Sequence, residues 1–211
     1  MQEYNLHLFL FLSTFAYCHG IKKKNIICIK MDATKDQFDE VISICRKLFS
    51  EKLKDYGASW RILRQESVTD QIYIKANRIR SIEIKNESKI DEGIFPEFIA
   101  IVNYGIIGLI QLELGFSETV NLSAEEALVL YDKHMKETKE LMYAKNHDYN
   151  EAWRLMRVTS YTDLILMKIY RTKEIESNKG KTLVSEGIDA NYQDMINYAL
   201  FRLIKLHFGE E

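Results

Sequence analysis

Lys52-Leu53-Lys54-Asp55-Tyr56-Gly57-Ala58-Ser59-Trp60-Arg61-Ile62-Leu63-Arg64 returns 93 residues later as Lys145-Asn146-His147-Asp148-Tyr149-Asn150-Glu151-Ala152-Trp153-Arg154-Leu155-Met156-Arg157. The same offset carries Ser67, Thr69, Asp70, Ile72, Lys75, Arg78, Ile82 and Glu83 onto Ser160, Thr162, Asp163, Ile165, Lys168, Arg171, Ile175 and Glu176. One inserted residue then aligns Glu92-Gly93-Ile94 with Glu186-Gly187-Ile188, and Asn103-Tyr104 with Asn197-Tyr198. Matching Trp-Arg and Asn-Tyr pairs in the same order over so long a stretch mark an internal duplication.

Comparing the halves separates turns from helices. Gly57 faces Asn150 across the repeat, and these two residue types best tolerate a left-handed backbone, so a tight turn is expected after each Asp-Tyr. Ser67-x-x-Asp70 and Ser160-x-x-Asp163 read as capped helix starts. Ser123-x-x-Glu126 reads as a capping box, Pro96 as a first-turn residue, and Gly115 as a helix end. Each half then reads as three helices. The opening ones run over Asp36–Lys54 and Ala124–Lys145, the middle ones over Val68–Asn86 and Tyr161–Asn178, and the last over Pro96–Leu114 and Asp189–Leu206. The third helix is apolar nearly all round and is expected at the centre.

Composition agrees. One proline and nine glycines in 211 residues are too few for sandwiches or barrels, so the chain is expected to be all-α. The expected architecture is a six-helix bundle built from a duplicated three-helix unit, an internal pseudo-dimer. Its repeats are 31–115 and 123–208, packed as one domain. A net charge of −2 excludes a protein that coats nucleic acid by charge alone.

Residues 1–30 do not follow this pattern. The apolar run Leu6–Tyr17 is shorter than the roughly 20 residues needed to span a bilayer. It lacks the basic start and small-residue cleavage site of a signal peptide. The expectation is an extension upstream of a start at Met31, in a cytoplasmic protein without a membrane partner. Three cysteines (Cys18, Cys28, Cys45) form no metal or disulfide pattern and suit a reducing compartment.

Candidate site residues come from the repeated positions. Tyr149 and Trp153 are either packing anchors or surfaces on which a base stacks. Arg61 and Arg154 are either ion-paired with nearby acids or phosphate-binding forks. Lys75 with Arg78, and Lys168 with Arg171, lie three apart and share a helix face, a solvated one or one that meets phosphate. Glu186 and Asp194 are eight apart and Asn197 is three further, a spacing compatible with one helical face. With Asp163 the two acids form an oxygen set suited to Mg2+; the competing reading is ordinary acids at a helix N-terminus. The first half has Ala100 and Phe95 where Asp194 and Asp189 stand, so a metal centre would belong to the second half alone. The five histidines are not repeated between halves, and no glycine-rich phosphate loop, GxSxG or HExxH occurs.

Asp55-Tyr56-Gly57 with Ser59-Trp60-Arg61, Thr69-Asp70-Gln71, Lys75-x-x-Arg78, Glu92-Gly93-Ile94 and Asn103-Tyr104 resemble the nucleotide-modification-associated domain 1 family, formerly a domain of unknown function. The second half repeats the resemblance through Asp148-Tyr149, Trp153-Arg154, Asp163, Lys168, Arg171, Glu186, Asp194 and Asn197-Tyr198. It implies a role in nucleotide modification or metabolism. A more distant similarity is to all-α nucleoside triphosphate pyrophosphohydrolases of the MazG-like and dimeric dUTPase-like kind, which hold Mg2+ on acids of neighbouring helices. No EExxE stands on either middle helix here. The leading expectation is a nucleotide-handling protein, with Mg2+-dependent nucleoside triphosphate hydrolysis as its catalytic form. In that form Lys168, Arg171 and Arg154 hold phosphates. The alternative is a non-catalytic helical module that binds a nucleotide, a nucleic acid or a protein partner, and either form is compatible with a homo-oligomer.

Overall fold

The structure, a computed structural model, describes residues 34–87, 89 and 92–210. The readings of residues 1–30, Met31, Cys18 and Cys28 lie outside the described residues. The chain divides into two compact units, 1–40 and 41–211. Of the first, residues 34–40 are described and helical. The second holds all six helices described below, and with them the repeated motifs of both halves.

Helix α1 covers 41–56 within this unit. It is followed by α2 (Gln65–Lys85), α3 (Phe95–Leu114), α4 (Ala124–Tyr149), α5 (Val158–Ser177) and α6 (Ile188–Phe208), with single 3-10 turns at Ser59–Ile62 and Ala152–Leu155. There is no strand among the described residues. The all-α expectation and the duplicated three-helix unit both hold. Gly57 has φ +62° and Asn150 has φ +49°, so both halves reverse direction through the left-handed region at the position read from the repeat. Ser123 and Glu126 form the reciprocal capping box, with Ser123 N–H donating to Glu126 at 2.9 Å and Glu126 N–H to Ser123 Oγ at 3.2 Å. Gly115, at φ +72°, closes α3.

The middle helices correct one expectation. α2 and α5 start at Gln65 and Val158, with no side-chain cap, so Ser67 and Ser160 lie inside the first turn. Their aspartates have a tertiary role instead. Asp70 pairs with Lys173 on α5 at 2.7 Å, and Asp163 pairs with Arg80 on α2 at 3.6 Å. Beside them Thr69 donates to Glu176 at 2.5 Å, and Thr162 donates to Glu83 at 2.9 Å. The repeated Thr-Asp and Glu positions thus stitch α2 to α5 by pairs of mutually related contacts. They act as the two-fold fastener of the pseudo-dimer.

Burial pushes the carboxyls of Glu83 and Glu176 upward. An acid whose folded pKa is raised holds its proton more tightly folded than unfolded, so it subtracts stability once pH exceeds its unfolded value. Glu176→Gln keeps an oxygen for Thr69 and is expected to raise the melting temperature at neutral pH by about 2 °C. The gain should vanish as pH falls below the ordinary glutamate value of 4.5. Thermal melts at both pH values check this, and a lower melting temperature for the variant at neutral pH would contradict it.

The core is the crossing of α3 and α6, as the apolar third helices suggested. Phe98, Ile101, Val102, Ile106 and Ile110 from α3 are buried against Tyr192, Met195, Ile196, Leu200 and Leu203 from α6. Close approach is set by Gly105 and Gly108. A methyl on Gly105 would lie 2.5 Å from Ile196 Cγ1, and one on Gly108 would lie 2.8 Å from the Tyr192 ring. α2 and α5 pack on this pair and on each other, and α4 also packs on α3 and α6. α1 is tied in by the bidentate Arg46–Asp132 pair at 2.6 and 2.7 Å and by Phe49 stacked on Tyr131. α3 is long and apolar enough to cross a membrane by length and composition, and in this fold it is the buried central helix.

Candidate functional site: two related pockets

In each half the C-terminal end of the opening helix, the 3-10 turn and the third helix enclose a pocket of about 300 Å³. Lys52, Tyr56, Trp60, Asn103 and Tyr104 line the first; their repeats Lys145, Tyr149, Trp153, Asn197 and Tyr198 line the second. Five of the residues that the repeat holds constant are therefore pocket walls. This explains the matching Trp-Arg and Asn-Tyr pairs: the Trp and the Asn-Tyr face the cavity, while the Arg secures the turn behind it.

Both arginines are engaged in that task. The Arg61 guanidinium is buried and donates to Gln111 and to the Gly115 carbonyl, the latter at 2.7 Å. Arg154 donates to Glu151 at 3.0 Å and to Glu210 at 2.5 Å, and lies 4.3 Å over the Trp153 ring. Arg154 is thus ion-paired, with Glu151 and Glu210, while Arg61 is held by a neutral amide and a carbonyl and not by an acid. Gln111 donates to the Arg61 carbonyl at 3.3 Å, and Lys205, its repeat, to the Arg154 carbonyl at 3.0 Å. The brace is thus itself duplicated.

The basic pairs behave differently in the two halves. Lys75 and Arg78 both turn to Glu97, a buried acid on α3, with Lys75 at 3.3 Å. Lys168 instead reaches Asp194 on α6 at 2.5 Å, and Lys145 meets the other Asp194 oxygen at 2.7 Å. Arg171 does not accompany Lys168; it lines a separate groove with Arg80, Asp163, Met167, Tyr170 and Ser185. The repeat explains the divergence. Glu97 corresponds to Asn191, and Asp194 to Ala100. The acid that neutralises the repeated lysine has moved one helical turn, from behind the pocket in the first half to its wall in the second.

Asp194 is 9% exposed. Burial pushes its carboxyl up, but the hydrogen bonds and charges of Lys145 and Lys168 outweigh that and hold it below the usual range. The same contacts hold Lys145 above the ordinary lysine value against the effect of its burial, with Glu186 adding a weaker negative charge. Asp194 also helps burial to push Tyr198 upward.

The three acids read as a metal set are not brought together. Asp163 lies on the α2–α5 seam, Glu186 is exposed on the loop before α6, and both Asp194 oxygens are taken by ammonium groups. Among the described residues no group of three acids, histidines or cysteines can hold a metal ion. These residues do not fit Mg2+: a divalent cation beside Asp194 would have to displace two lysines of its own charge sign.

What remains uncommitted in the second pocket is an amide. Asn103 in the first half is fully used, donating to the Cys45 carbonyl at 3.1 Å and accepting from the Tyr131 hydroxyl at 2.9 Å. Asn197 is 5% exposed, and neither its nitrogen nor its oxygen has a partner. A buried amide left unpaired costs about 1–3 kcal/mol for each group. Lys145, Tyr198 and the freedom of the Asn197 amide are the features that reading the sequence missed. The repeat marked the positions, but only neighbours distant in sequence distinguish the two asparagines.

Residues 52–112 and 145–206, more than half of the chain in two segments, match the family described as nucleotide modification associated domain 1. No curated protein and no solved structure matches the chain.

Proposed function

We propose that this chain, which belongs to the nucleotide modification associated domain 1 family, binds a nucleoside or nucleotide by its base in the second-half pocket. The observation that carries the reading is the unpartnered amide of Asn197 in the wall of an aromatic-lined cavity, closed to solvent as it stands and met by a base edge once the wall side chains shift. A side-chain amide offers one donor direction and one acceptor, the pattern that pairs with two adjacent atoms of a base edge. Trp153 is packed on Phe201 at 4.6 Å and serves as a rigid wall. Tyr149, 71% exposed at the mouth, and Tyr198 supply rings for stacking. The Lys145 ammonium, on a part-exposed side chain, stands where a phosphate would enter.

Of the catalytic and non-catalytic forms this supports the non-catalytic one. Mg2+-dependent hydrolysis has no step in it, because Asp194 serves as the counter-ion that keeps Lys145 and Lys168 in place. The similarity to pyrophosphohydrolases adds nothing to this pocket.

Calorimetric titration with the common nucleosides and their mono- and triphosphates, without added metal, tests the reading. One base class is expected to bind, and Asn197→Ala is expected to weaken it by about tenfold to a hundredfold, the range of a lost bidentate contact. Lys145→Met should weaken nucleotides more than nucleosides. Absence of binding by every compound, or equal affinity in Asn197→Ala, would overturn the proposal.

A further inference from the structure

In the loop between α5 and α6, Leu183 and Val184 are both fully exposed. Single apolar side chains scattered over a surface are ordinary, but an adjacent, fully exposed pair beside an apolar groove is not. The pair is held in place: the Thr182 hydroxyl donates to the Ser185 carbonyl at 2.8 Å and closes a turn with Leu183 and Val184 at its tip. At the base of the loop, Gly180 N–H donates to the Ile175 carbonyl at 2.8 Å. Ser185 also lines a groove of about 620 Å³, whose apolar lining is Leu166, Met167, Tyr170 and Ile175. Two charges of each sign share that lining. Arg80 and Asp163 pair with each other at 3.6 Å, whereas Arg171 and Glu174 have no ion pair among the described residues. The repeat explains the free guanidinium: Arg78 is held by Glu97, and Asn191 stands where the second half would need that acid. Lys181 and Glu186, on either side of the tip, are exposed and likewise unpaired.

We infer that this face is a self-association surface, on which the Leu183–Val184 tip of one copy enters the α5 groove of a second copy and receives that copy's tip in return. Ser185 belongs both to the turn and to the groove wall. Loop and groove therefore adjoin, and one two-fold axis at their rim engages both at once, an interface that closes at two chains. The free charges match in both directions. Lys181 and Glu186 beside the tip are opposite in sign to Glu174 and Arg171 beside the groove. A lining with equal numbers of cations and anions favours neither a polyanion nor a basic partner. The chain's own tip is not the occupant, because its turn leaves Leu183 and Val184 in solvent while Ser185 already stands on the wall. None of these residues lines either repeat pocket, so the inference stands apart from ligand binding there.

Sedimentation equilibrium of the full chain, from about 1 to about 500 µM, measures the association. The expected result is a monomer–dimer equilibrium with a dissociation constant in the micromolar range, as suits a small interface. Leu183→Ser combined with Val184→Ser changes only side chains that are already exposed, so the monomer stays intact. The dimer should weaken by at least about a hundredfold. Met167→Glu, on the groove side, should weaken it comparably. Mixing the two variants separates exchange from general stickiness, because each supplies what the other lacks. A heterodimer with one intact tip and groove should form at least about tenfold more tightly than either variant's homodimer. A chain that stays monomeric throughout, a dimer indifferent to both variants, species larger than two chains, or a mixture no stronger than its components would overturn the inference. So would a loop variant whose monomer melts at a lower temperature, since that places the tip in its own groove.

Discussion

Asp194→Ala is expected to be the most damaging single change in the second half, lowering stability by about 3–5 kcal/mol. The loss comes from what the aspartate leaves behind more than from its own contacts. Lys168 is 7% exposed and ends 2.5 Å from the Asp194 carboxylate. Without that oxygen a buried ammonium has no counter-charge. For a chain of this length the fall corresponds to about 10 °C in melting temperature.

The pH dependence gives a second check. Asp194 titrates below its ordinary value of 3.8 in the folded chain. Its contribution is therefore present above that value and is lost as pH falls through the lower, folded pKa. The gap between wild type and variant should be widest near neutrality and close in acid below 3.8. Adding Lys168→Met removes the stranded charge and should recover more than half of the lost stability. Chemical denaturation of the single and double variants measures this. A double variant no more stable than Asp194→Ala would sink the counter-ion assignment.

Gly108→Ala reverses a familiar expectation. Glycine inside a helix is worse than alanine by about 1 kcal/mol, so the change would ordinarily stabilise. At this position the added methyl lies 2.8 Å from two atoms of the Tyr192 ring. That ring cannot yield: Tyr192 is fully buried, and its hydroxyl is held by Thr69 at 2.6 Å and by Gln65 at 2.8 Å. The methyl must push α3 from α6 or break the tie to α2. The net expectation is a loss of about 2–3 kcal/mol. Tyr192→Phe in the same background frees the ring from its hydroxyl partners and should lessen the penalty of adding Gly108→Ala. Equilibrium unfolding of the four proteins of the cycle measures the coupling; a stabilised Gly108→Ala variant would contradict the close-packed crossing.

Much of the fold is legible in the sequence because its signals are local. The left-handed turns at Gly57 and Asn150, the capping box at Ser123 and Glu126, and the apolar third helix each depend on residues within a turn or two. The starts of α2 and α5 lie three residues before the expected ones because Asp70 and Asp163 resemble first-turn caps. Their charges are spent on Lys173 and Arg80, partners on the other middle helix and far away in sequence. The site is legible as a set of positions but not as chemistry: Asp194, Lys168 and Asn197 stand out in the repeat, but as metal and phosphate ligands.

The sequence by itself determined that the chain is two copies of one helical unit and which positions both copies keep. It did so because a repeat is visible without knowing any contact. Only the tertiary structure decided what those positions do. The same lysine meets an acid behind the pocket in one half and on its wall in the other. The same asparagine is tied by Tyr131 in one half and left unpaired in the other. Those differences arise where helices distant in sequence meet, so equal residues acquire unequal surroundings and two related pockets become two different sites.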